Sequence, residues 1–286
     1  MASTLANLFT VVTATLLIAG SYAFTTLKVA DDKPLQFTYS GATGPDKWAG
    51  LNPNFSLCAS GKSQSPVDIV TEKAVTNNEL KPLVRDYRPT VDNVTLVDYK
   101  FTVGIEYPEH TGSIIVDNKQ YSFKQMHWHS PSEHRINGHR FATEMHMVHV
   151  ADDGKVAVVG TLFKNGRPDP ILQKIHKELN ELAYNVKSNE EAASRIVFGP
   201  FHTTELTKTP NKYYKYIGSF SAPPCTENVI YLILANVRSI SSEQVQSLKA
   251  PLDMRCKYNA RPCQPMNERH VEVYQDNSIA HTRINY

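Results

Sequence analysis

A chain of 286 residues with 30 basic against 28 acidic side chains has a formal net charge of +2, its Lys and Arg scattered rather than clustered. That balance leaves no electrostatic footprint for nucleic acid or an anionic membrane surface, so a small molecule is the expected partner. With 41% hydrophobic residues there is ample material for one core, and no repeat, low-complexity tract or linker marks a second domain.

An apolar run from about Leu8 to Ala19 is followed by Ser21-Tyr22-Ala23, a small-x-small cleavage pattern. The run is too short to span a bilayer, so residues 1–23 read as a secretory signal peptide even though no Lys or Arg precedes it. Residues 24–286 then form one secreted domain, with no membrane contact after signal removal. Cys58, Cys225, Cys256 and Cys263 suit an oxidising compartment, and as disulfides they allow three pairings. The sequons Asn54-Phe55-Ser56 and Asn93-Val94-Thr95 suit glycosylation on that route. Runs such as Lys100–Ile105 and Ser113–Val116, separated by Pro, Gly, Asp and Asn, have the spacing of an antiparallel sheet.

The next stretch holds His127, His129, His134, His139, His146 and His149. In Gln125-Met126-His127-Trp128-His129 strand alternation puts both imidazoles on one face and Trp128 on the other. Glu144 to His149 predicts a second strand, separated from the first by the turn-prone Ile136-Asn137-Gly138, and antiparallel pairing brings His146 beside the other two. Three neutral nitrogens leave the fourth position of a tetrahedral zinc open, the arrangement that lowers the pKa of a bound water to about 7. Gln125 and Glu144 each lie two residues before a histidine, on its face, where they can fix the ring's tautomer. His134 and His149 have no clear role.

Further on, the continuous apolar run Val156–Phe163 predicts a strand buried on both faces in the middle of the sheet. Pro170 opens a helix with Ile171, Leu172, Ile175, Leu179 and Leu182 at helical spacing, and Ser241-Ser242-Glu243-Gln244 starts another with a capping-box pattern. The fold class is therefore mainly β with covering helices.

Gln125-x-His127-x-His129, Ser132-Glu133-His134 and Glu144-x-His146-x-Val148-His149 together resemble the alpha-class carbonic anhydrases, and Ser130-Pro131-Ser132 resembles their plant branch. The likeness extends through Gly44–Trp48, Ser63–Ile69, Gly218–Cys225 and Asn259–Pro262. It implies a large twisted, mostly antiparallel sheet with peripheral helices, and zinc on His127, His129 and His146 at the base of a cone. It also implies a bridge between Cys58 and Cys225, which leaves Cys256 with Cys263. By motif position Ser221 and Glu133 take the place of a Thr–Glu pair that orients the attacking oxygen, and serine lacks the methyl that limits rotation. Val148, Val158, Phe220, Ala222, Val229 and Tyr231 fall where the family holds its substrate, with Tyr231 in place of a Trp. Where the family carries Asn, Gly and a proton-relaying His, the alignment sets Val97, Asp98 and Tyr99; a phenol with pKa near 10 is a poor relay at pH 7. His110 is the substitute relay to look for. The resemblance implies a zinc-dependent lyase hydrating carbon dioxide slowly. A repurposed enzyme acting on a larger carbonyl, imine or ester, and a storage or binding protein like the family's tuber relatives, are the alternatives. Nothing in the sequence sets an oligomeric state.

Overall fold

The protein's computed structural model describes residues 36–188 and 194–276, so the expected signal segment 1–23 lies outside the described residues. The fold is mainly β, as the alternating runs require. Seven strands form its centre: β1 (Val94–Asp98), β2 (Val103–Glu106), β3 (Lys119–His129), β4 (Thr143–Val150), β5 (Val156–Asn165), β6 (Lys212–Ser219) and β7 (Glu227–Leu234). They belong to a sheet of thirteen strands in which β1, β2, β3, β4, β5, β7 and β6 are successive neighbours. These pairs are antiparallel except β5 with β7, which run parallel with Val158 opposite Tyr231. The eight residues Val156–Phe163 are all buried, since β5 is paired on both edges and covered on both faces.

Alternation divides the apolar side chains between the two faces. Met126, Trp128, Met145 and Met147 join the larger core cluster, while Val148, Val158, Val229 and Tyr231 pack in a smaller one on the histidine face. The periodic segment after Asp169 forms two helices, α1 (Pro170–Lys174) and α2 (His176–Lys187), interrupted at Ile175, whose φ of -107° and ψ of 13° leave the helical region. Asp169 caps α1 by accepting from the Ile171 and Leu172 amides. Helix α3 (Ser242–Lys249) opens on the expected capping box, with Ser241 and Gln244 bonded reciprocally.

Cys58 and Cys225 are bridged, 167 residues apart in sequence. The expected Cys256–Cys263 bridge is not formed, and both thiols are free. The intervening chain explains this: it is fixed at Asn259 and Arg261, so Cys256 lies buried near Asp253, Arg255 and Asp98 while the Cys263 thiol faces the Glu133 carbonyl at 3.6 Å. Burial pushes the Cys256 thiol up to about 12, which keeps it protonated and inert.

Candidate metal centre

Strand pairing sets His146 of β4 opposite His127 of β3, and Glu144 opposite His129. The three imidazole centroids are 5.0, 5.3 and 4.8 Å apart, and a nitrogen from each lies within 4.8 Å of the others. Every ring spends its outer N–H on a fixed oxygen. His127 Nδ1 donates to Gln125 Oε1 at 2.9 Å, His129 Nδ1 to the Asn259 carbonyl at 2.7 Å and His146 Nε2 to Glu144 Oε1 at 2.8 Å. Nε2 of His127, Nε2 of His129 and Nδ1 of His146 are thereby left as inward lone pairs, and His129 Nε2 is buried with no hydrogen-bond partner. Three facing lone pairs repel one another unless a cation completes them, and this donor set and geometry fit tetrahedral zinc.

The electrostatics favour neutral rings at His127 and His129. Burial, and then the neighbouring His129 and His146, hold His127 well below the usual imidazole range, and burial also lowers His129. Burial opposes charge on His146 too, but the Glu144 carboxylate outweighs it and raises that ring. Glu144 would itself be raised by burial; the His134 and His146 rings instead hold it well below the carboxylate range. Its second oxygen accepts from the Glu133 and His134 amides at 2.9 and 2.8 Å. His134 completes this support, donating from Nδ1 to Glu144 at 2.7 Å and accepting at Nε2 from the Tyr216 hydroxyl at 2.6 Å. His149 points to the opposite face and bonds the Tyr87 hydroxyl at 2.7 Å, and burial pushes it down to about 3.

Glu133 lies beside the rings, its Oε2 3.5 Å from His129 Nε2 and its Oε1 accepting from the Arg261 amide at 3.0 Å. The Ser221–Glu133 contact implied by the resemblance is not made among the described residues: Glu133 Oε2 has no hydrogen-bond partner, and the Tyr231 hydroxyl donates to the Ser219 carbonyl at 3.0 Å. The physical reason lies in the side chain at 221: a serine has no methyl to hold its hydroxyl in one rotamer, as a threonine would. Val148, Val158, Val229 and Tyr231 line up across β4, β5 and β7 with Phe220 packed on them, while Ala222 packs instead against the larger cluster.

The turn between β1 and β2 corrects the alignment of the relay. Its left-handed residue is Lys100, at φ 68°, and that conformation is what a Gly supplies. Lys100 therefore stands at the Gly place, and Phe101, not Tyr99, at the histidine's; Val97 and Asp98 are buried in β1. Phe101 is buried against Phe37, with ring centroids 5.0 Å apart. Tyr99 lies over Gly104, where an added Cβ would meet its ring at 2.7 Å and His127 Cβ at 3.2 Å, and its hydroxyl donates to Glu106 at 3.0 Å. His110 is exposed on a loop whose Glu109 pairs with Lys124, and Lys124 is the residue left without a partner on β4 where β3 bulges between Phe123 and Gln125. Asn54 and Asn93 are both exposed. Sequence reasoning gave no role to Asn259, Arg261 or Tyr216; only the quoted motif around the first two hinted at one.

A family model described as eukaryotic-type carbonic anhydrase matches residues 43–275. Alpha carbonic anhydrase 7 of Arabidopsis thaliana is 36% identical over 248 residues, covering 87% of each chain. Among solved structures, dioscorin complexed with ascorbate superposes with a TM-score of 0.78 at 33% identity, over 84% of this chain and 98% of that one. The alpha-carbonic anhydrase from Thermovibrio ammonificans, solved with the inhibitor sulfanilamide, gives 0.70 at 31% identity, over 84% and 100%. A sheet that sets three imidazoles on adjacent strands, and a match running through nearly all of the described residues, place this chain in the eukaryotic-type, alpha-class carbonic anhydrase family.

Proposed function

We propose that the protein is a slow zinc-dependent hydratase of carbon dioxide, working in the secretory lumen or outside the cell. The observation that carries this is the convergence of three lone pairs from rings whose outer nitrogens are each held by an oxygen. Held by three neutral imidazoles, a zinc ion supplies an acidified water, with pKa near 7, and a Lewis acid. Gln125, the Asn259 carbonyl and Glu144 keep the rings in the ligating tautomer. The wall of Val148, Val158, Val229 and Tyr231 suits a small linear apolar substrate and excludes water from it. For orienting the attacking oxygen, Ser221 and Glu133 are present but unlinked. No imidazole stands at the relay place, where Phe101 is buried. The apolar leader, the Cys58–Cys225 bridge and the exposed sequon residues Asn54 and Asn93 support secretion and glycosylation.

The decisive measurement is stopped-flow hydration by zinc-loaded secreted protein, with and without a sulfonamide. Sulfonamide-sensitive hydration is expected; a loaded protein with no rate above background rules the proposal out. Tyr99→Asn with Phe101→His, which replaces the two side chains before and after Lys100, should raise turnover by about 10²-fold, the lower end for a positioned base because the new imidazole starts buried. Added imidazole buffer should give part of the gain. No increase from either would show that proton release does not limit the rate.

A binding protein is the second reading. The unpaired Glu133 Oε2 and the blocked relay favour it, as does the similarity to a dioscorin solved with ascorbate. The Tyr99 ring beside His127 weighs against a larger carbonyl or ester substrate.

A further inference from the structure

Behind the histidines, on the other face of the sheet, lies a cleft of about 1050 Å³. Its floor includes Met145 and Thr161, paired across β4 and β5, so it backs onto the strand that carries Glu144 and His146. Six basic side chains line it against two acidic ones. Asp169 neutralises Arg238 at 2.5 Å, and Glu205 neutralises Lys208 at 3.7 Å. Lys164 and Arg167, both exposed, have no ion pair among the described residues, and Lys212 lies over the Tyr214 ring. The decisive residue is Arg85. It is only 8% exposed and has no carboxylate partner among the described residues, and although one arm donates to the Lys208 carbonyl, its Nε is buried without an acceptor. Burial disfavours its charge, Tyr87 offsets part of this, and the nearby Arg238 guanidinium adds to it.

A buried guanidinium is normally compensated by a carboxylate or phosphate whose oxygens match its planar fork. Among the described residues none is supplied, and the lining groups without an ion pair, Lys164 and Arg167, are also cations. We propose that this cleft binds a small organic oxyanion of charge two or three, a phosphate ester or a di- or tricarboxylate, with Arg85 as its buried anchor and Lys164 and Arg167 at the rim. The charge follows from the excess of cations, and the organic part from the volume and from apolar Met145, Leu206 and Leu234 in the lining. The site is separate from the metal centre, and its existence does not depend on carbon dioxide hydration.

Calorimetric titration of the zinc-loaded protein with inorganic phosphate and with citrate, at constant ionic strength, tests it. Saturable one-to-one binding near or below about 1 mM is expected, weakened about tenfold or more in Arg85→Gln and in the double variant Lys164→Ala/Arg167→Ala. Hydration activity should be unchanged in the double variant. Tighter citrate identifies a carboxylate ligand and tighter phosphate a phosphate ester, and either upholds the proposal. Binding that survives both variants belongs to another site and overturns it, as does no saturable binding up to about 20 mM. Lys164 and Arg167 are exposed, so the double variant decides the matter even if Arg85→Gln does not fold.

Discussion

Replacing His146 by alanine is expected to lower zinc content after reloading to below about a tenth of an equivalent and to remove carbon dioxide hydration altogether. His146 supplies one of only three inward lone pairs, and its loss also leaves Glu144 Oε1 with one donor, His134 Nδ1, instead of two. His139→Ala is the control, because that histidine is exposed and its ring packs on the edge of Phe141, away from the three imidazoles. Gln125→Ala should fall between the two, with zinc affinity down by about 10- to 100-fold, since it removes the acceptor that fixes His127 but no ligand. Metal analysis and stopped-flow rates on the same preparations decide it. Full zinc content in His146→Ala would refute the three-histidine assignment.

Removing the disulfide should have the next largest effect. A bridge between residues 167 apart restricts the unfolded chain by about 5 kcal/mol in the loop-entropy account. For a domain of this size that corresponds to a fall in Tm of about 10–20 °C in Cys58→Ser/Cys225→Ser. The native state loses as well, because Cys225 is held at φ 59°, a conformation uncommon outside glycine, with its carbonyl accepting from Gln64 at 3.0 Å. Denaturant and thermal unfolding of the double variant measure this, and a shift under about 2 °C would contradict it. Thiol titration of the unfolded, unreduced wild type should find two free thiols, those of Cys256 and Cys263.

The centre of the site was legible because a strand has a period of two. His-x-His and Glu-x-His on adjacent strands can meet only on one face, and Gln125 and Glu144 fall into place by the same parity. What was hidden depends on the backbone. No side chain advertises that the Asn259 carbonyl will orient His129 or that the Arg261 amide will meet Glu133. Lys100 gave no warning of a positive φ, since lysine rarely takes one, and the relay was therefore misplaced by two residues. The interruption at Ile175 was equally silent, because its apolar side chain is buried and continues the helical pattern across the break. Cys256 and Cys263 looked like partners only by elimination, whereas tertiary contacts had already fixed the chain between them.

The bond from His129 to Asn259 also has a consequence for the order of events during synthesis. Once residue 146 has left the ribosome, all three imidazoles exist on neighbouring strands joined by short connections, and these can pair early. The carbonyl that selects the ring state of His129 is translated more than a hundred residues later. Until it docks, His129 is free to present either nitrogen, so a nascent or prematurely ended chain should hold the metal about 10- to 100-fold more weakly than the finished one. Metal capture is thus favoured by completion of the polypeptide, and a half-made protein competes less well for the ion.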